Sequence, residues 1–92
     1  MFELNPEERS RLTSFLSKLV RTPSLSGQEG RLAQLLADEL RRLGVEDVRI
    51  DRVGNVIARI GRSGGPVLVY NGHMDTVDVT NRAAWDFDPW MG

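Results

Sequence analysis

Apolar side chains recur at a helical spacing twice before position 44, and at a period of two thereafter. Leu12, Phe15, Leu16, Leu19 and Val20 follow the i, i+3, i+4, i+7, i+8 rhythm, which predicts a helix with a single buried stripe. Asn5 suits its N-cap, Pro6 its first helical position, and Glu8 stands where the reciprocal acid of a capping box belongs. Thr22-Pro23 ends it, because proline drives the preceding residue out of helical geometry. A second helix is predicted from Ser26, where Ser26-Gly27-Gln28-Glu29 repeats the capping-box pattern. Leu32, Leu35, Leu36, Leu40 and Leu43 share its face, and Gly44 after Arg41 and Arg42 reads as a left-handed stop.

Beyond Gly44, Val48 and Ile50 alternate with Arg49 and Asp51, the signature of a half-buried strand. Gly54-Asn55 turns the chain into Val56-Ile57-Ala58-Arg59-Ile60, so a hairpin is expected. Gly61 to Pro66 is a loop, and Val67-Leu68-Val69-Tyr70 is a continuous apolar run of the kind buried on both faces of a sheet. The expected fold class is α/β, with two N-terminal helices packed on a mixed sheet. Neither an internal repeat nor a linker divides residues 1–92.

Composition narrows the functions. Twelve Lys and Arg against 13 Asp and Glu leave a formal charge of −1, which offers no basic patch for nucleic acid. The longest apolar run, Val67 to Tyr70, is far short of the ~20 residues of a membrane helix. A chain without cysteine has no disulfide, thiolate nucleophile or thiolate metal ligand, and is compatible with a cytoplasmic location. The glycine-rich loop at 61–65 lacks the Lys-Ser/Thr ending of a phosphate loop and precedes a strand instead of following one, so it reads as a turn.

The candidate chemistry lies at Asn71-Gly72-His73-Met74-Asp75-Thr76, directly after the apolar run. Ligands bind at the carboxyl edges of strands in α/β sheets. His73 is the sole histidine. In an extended segment His73 and Asp75 project to one side, so the carboxylate can orient the imidazole as a metal ligand, or as a general base. A hairpin at Asn71-Gly72, with His73 to Val77 returning as a surface strand, fits the same letters. A catalytic zinc site needs about three protein ligands, and Asp78, Asp86 and Asp88 read as solvated loop acids. The chain thus offers part of a metal site. Three of its six aromatics, Trp85, Phe87 and Trp90, fall in the last eight residues, where few partners remain to cover them. A chain cut in mid-domain is the expectation.

The succession LVRTPSLSGQEG, GNVIARIG, VLVYNGHMDTV and WDFDPWMG resembles the start of the dinuclear-zinc amidohydrolases, which include acetylornithine deacetylase, succinyl-diaminopimelate desuccinylase, carboxypeptidase G and aminoacylase. The resemblance runs from about Leu19 to Gly92, in family order, and TNRAAWDFDPWMG is similar to the branch called selenium-metabolism-linked hydrolases. It implies that residues 1–92 are the N-terminal part of a zinc-peptidase-like catalytic domain. His73 would be a zinc ligand and Asp75 the active-site acid that orients it. It further implies two zinc ions (with cobalt as a substitute), an N-acyl amino acid or peptide substrate, and a homodimer when full length. In the implied reaction a metal-activated water attacks the amide while a glutamate moves the proton. That glutamate, the bridging Asp, the second histidine and the dimerisation domain are not matched within these residues. Asp78 departs from the proline the family often has there. The alternative is a non-catalytic α/β piece acting as a folding or docking unit, and the 92-residue chain alone is expected to be inactive.

Overall fold

The computed structural model describes residues 3–92. Helix α1 spans Pro6–Val20 and α2 spans Gly30–Arg42, followed by strands β1 (Asp47–Ile50) and β2 (Val56–Arg59) and a 3-10 turn at Arg82–Ala84. The α/β class is what the sequence pattern implied.

Local chemistry sets most boundaries. The Glu8 amide donates to Asn5 Oδ1 at 2.9 Å while Glu8 Oε2 accepts from the Asn5 amide at 2.8 Å, closing the capping box that starts α1. Helix α2 ends where Gly44 takes φ +90°, with the Gly44 amide on Arg41 O and the Val45 amide on Leu40 O. Those two bonds satisfy carbonyls the helix would otherwise leave open. The hairpin pairs Asp47 with Arg59 and Ile50 with Val56 in antiparallel register. Asp51 organises its loop: Oδ1 accepts from the amides of Val53 and Asn55, and Oδ2 from Asn55 Nδ2. These bonds, that of the Asn55 side chain foremost, hold the Asp51 carboxyl below its ordinary pKa.

Helix α2 lies against both strands, and the small core sits on its inner face at Leu32, Ala33 and Ala37. Ala33 and Ala37, one turn apart, are 2% and 0% exposed.

Three expectations are corrected. Helix α2 begins at Gly30 and not at Ser26, with Glu29 at its N-cap and no side-chain cap. The stripe of α1 finds little cover: α1 has no buried residue, and Leu12, Leu16 and Val20 are exposed. The third strand does not form. The described residues hold a two-stranded antiparallel sheet in place of a mixed one. Val67, Leu68, Val69 and Tyr70 are 75–89% exposed. A strand exists through its hydrogen-bonded neighbours, and apolar letters alone cannot provide them.

The surface carries the same message. The accessible area is 8130 Å², against roughly 5,400 Å² for a closed domain of this mass. The radius of gyration is 15.8 Å, against about 12 Å for a compact chain of this length. This is a partial domain, with much of its apolar surface left exposed.

Candidate functional site

The segment that follows the uncovered run is held firmly. Leu25 and Thr76 form a parallel bridge, with the Thr76 amide donating to Ser24 O at 2.8 Å. Ser24, 1% exposed, donates from its hydroxyl to Met74 O at 3.0 Å. Residues 74–76 are therefore stapled to 24–26 across some fifty positions of sequence.

Within this staple His73 and Asp75 meet. His73 Nδ1 lies 2.9 Å from Asp75 Oδ1 and 2.9 Å from the Asp75 carbonyl oxygen. Neither a carbonyl nor an ionised carboxylate donates, so Nδ1 carries the proton and donates to both. In the neutral ring this leaves the Nε2 lone pair free, which is the tautomer a metal ligand needs. The other carboxylate oxygen, Oδ2, accepts from the Ser26 hydroxyl at 2.6 Å, the length of a charge-assisted O–H···O⁻ bond. The Ser26 bond and, after it, the His73 bond hold the Asp75 carboxyl below its usual range. The imidazole is open to solvent and the carboxylate half-exposed.

His73 lines a groove of about 620 Å³, bordered by Leu36 and Leu40 of α2, Val56 and Ala58 of β2, and Tyr70. A second hollow, about 370 Å³, runs between Leu19, Leu32 and Thr76 on one side and Trp85 and Trp90 on the other. There Trp85 meets Phe87 edge to face, the ring centres 5.6 Å apart. Asp88 caps a turn by accepting from the Trp90 amide at 2.9 Å.

The backbone decides against the hairpin at Asn71-Gly72. A two-residue turn of that composition places both residues at positive φ. Among the described residues neither Asn71 nor Gly72 has one. The acids Asp78, Asp86 and Asp88 are not gathered around His73, and no group of three or more His, Asp or Glu able to hold a metal occurs among the described residues. What the described residues bring together here is one imidazole and one carboxylate.

Sequence reasoning missed Ser24 and Ser26 as partners of this segment. The Ser-Gly-Gln-Glu letters fit a capping box so well that the competing signal was hidden. Ser24-Leu25-Ser26 alternates polar and apolar just after Pro23, the pattern of a short extended stretch.

Comparison with known proteins agrees with this segment-level resemblance. The chain is 42% identical over 82 residues to the uncharacterized protein YgeY of Escherichia coli, a match covering 88% of this chain and 20% of that protein. It is 42% identical over 77 residues to a succinyl-diaminopimelate desuccinylase of Cereibacter sphaeroides, covering 80% of this chain and 20% of the relative. The corresponding enzyme of Paracoccus denitrificans is 38% identical over 78 residues, covering 83% and 20%. Over most of its own length the chain is thus homologous to a segment of the succinyl-diaminopimelate desuccinylases, and it spans about a fifth (20%) of the length of these curated relatives. No protein-family model and no solved structure matches it. No helix among the described residues is long and apolar enough to cross a membrane.

Proposed function

We propose that residues 1–92 are the N-terminal part of the catalytic domain of a metal-dependent hydrolase that cleaves an amide bond in an N-acyl amino acid or peptide. The observation that carries the reading is the contact of His73 Nδ1 with both the carboxylate and the carbonyl of Asp75 at 2.9 Å beside a groove, which favours an Nδ1–H ring with its Nε2 lone pair free. Homology to desuccinylases supports the amide class. The residues fit a metal, because a ligating imidazole characteristically donates its other ring N–H to a carboxylate or a backbone carbonyl.

In this reading His73 Nε2 is a ligand to one of two zinc ions, for which cobalt can substitute, and Asp75 is the acid that fixes the ring. When bound, the metal pair supplies Lewis acidity toward a water and the scissile carbonyl. Asp75 keeps the Nδ1 proton in place through the reaction and raises the basicity of the ligating nitrogen. The half-buried staple at 24–26 and 74–76 keeps both groups from swinging away. The remaining ligands and the proton-carrying glutamate belong to the longer protein, which the proposal makes a cytoplasmic homodimer in the selenium-metabolism-linked branch, on the likeness of Thr80 to Gly92.

The test is His73→Gln in the full-length protein, with metal content measured by elemental analysis and hydrolysis followed on N-succinyl and N-acetyl amino acids. Loss of metal and of hydrolysis together is the expected result. A variant that retains full metal content would overturn the assignment of His73, and a wild-type protein with no amidase activity on any acyl amino acid or peptide would favour the docking-unit reading.

A further inference from the structure

The hydroxyl of Ser26 is free of the duty its sequence context suggests. Helix α2 starts at Gly30 with no side-chain cap, and Ser26 stands outside it. Its loop is a tight turn, closed by the Gln28 amide on Leu25 O at 2.7 Å, with Gly27 at φ +82° in the third position. A β-carbon is disfavoured at that φ, so glycine there sets the turn. The Gly27 amide is held in addition by Glu29 Oε1 at 2.8 Å. On the other side the Leu25–Thr76 bridge and the Ser24 hydroxyl on Met74 O tie the turn to the His73 segment. The hydroxyl of Ser26 is thereby carried to a fixed point, and what it meets there is Asp75 Oδ2 at 2.6 Å.

Asp75 needs such an anchor. The terminal torsion of a carboxylate is broad and nearly two-fold, so one hydrogen bond leaves the group free to rock. Here the two oxygens are held from opposite ends, Oδ2 by Ser26 and Oδ1 by His73. We propose that Ser26 is a positioning residue that acts through Asp75, locking the carboxylate so that Oδ1 keeps the proton on His73 Nδ1 and Nε2 stays available. The proposal rests on the reading of His73 as a metal ligand for its consequence, but its geometric content concerns the ring tautomer alone.

The two can therefore be tested apart in the full-length protein. In metal-free protein, ¹⁵N shifts of the His73 ring, assigned by their loss in His73→Gln, report the tautomer. Cobalt titration reports affinity. Ser26→Ala is expected to populate the Nε2–H tautomer and to weaken cobalt binding about tenfold, the low end of what an outer partner costs. Ser26→Thr, which keeps the hydroxyl, is expected to restore both. In an Asp75→Asn background Ser26→Ala is expected to add nothing, because its effect passes through the carboxylate. Ser24→Ala removes the bond to Met74 O but leaves the Leu25–Thr76 bridge and the Ser26–Asp75 bond in place, and is expected to shift the tautomer far less than Ser26→Ala. A Ser26→Ala protein with wild-type tautomer and affinity would overturn the proposal, as would additive effects with Asp75→Asn or an equal tautomer shift in Ser24→Ala. Cobalt binding that survives His73→Gln would instead overturn the metal-ligand reading, while the tautomer data still decide the role of Ser26.

Discussion

Val67–Tyr70 and Asn71–Thr76 adjoin in sequence and are held in opposite ways. The first is wholly apolar, 75–89% exposed and without a strand partner. The second is polar, yet it is fastened to Ser24–Ser26 by a bridge and side-chain bonds. Hydrophobicity describes what a segment gains by being covered; only a neighbour at hydrogen-bonding distance decides whether it is. Among the described residues there is a neighbour for 74–76 and none for 67–70. His73 and Asp75 are consequently held together without a strand at 67–70.

The sharpest way to break this contrast is amide hydrogen exchange. In the 92-residue chain alone the amides of Val67–Tyr70 are expected to exchange almost unprotected, and in the full-length protein to slow on the order of a thousandfold or more. Equal rates in both would show that the run is no strand in either. Sedimentation of the isolated chain is expected to show self-association, since an exposed extended run beside exposed aromatics invites pairing. A next, smaller effect belongs to Asp75→Asn, which keeps the shape of the well-held segment but removes its charge. Metal affinity or turnover of the full-length enzyme is expected to fall about 10–100-fold, and unchanged values would reduce Asp75 to a loop residue.

A still smaller effect is expected for Ser24→Ala. It removes a buried hydroxyl and orphans Met74 O, so a loss of about 1–2 kcal/mol in denaturant unfolding of the full-length protein is expected. No change would mean that the backbone bond to Thr76 carries the staple unaided. The smallest concerns the hairpin, which serves as a control away from both segments. Asp51 has a folded pKa below its ordinary 3.8, so its contribution is present above that value and is lost as pH falls through the lower folded one. Acid titration of the β1–β2 amide signals is expected to show this transition in wild type and not in Asp51→Asn.

Much of this was legible in the letters where the determining partners are close in sequence. Asn5, Pro6 and Glu8 announced the start of α1, and Gly44 the end of α2, because caps depend on residues three or four apart. The hairpin was legible for the same reason, although its loop is built on Asp51 and not on Gly54-Asn55 alone. The pairing of His73 with Asp75 followed from their two-residue spacing. Ser24 and Ser26 were not legible, since their partners lie about fifty residues away and a local motif gave them another use. The third strand failed for the converse reason, its letters being right and its neighbour absent.

The parallel bridge between Leu25 and Thr76 also bears on the order of events during folding. Closing a loop of about fifty residues costs roughly 3–4 kcal/mol of chain entropy before any contact rewards it. The helices and the hairpin need no such closure and form on the fast, local timescale. Ser24–Ser26 can meet 74–76 only after α2 and the hairpin have shortened the path between them. The bond of Ser26 to Asp75 is therefore among the last to form, since it waits on that closure. His73 and Asp75, two residues apart, can meet early, and the outer anchor at Ser26 is added only when the long loop closes.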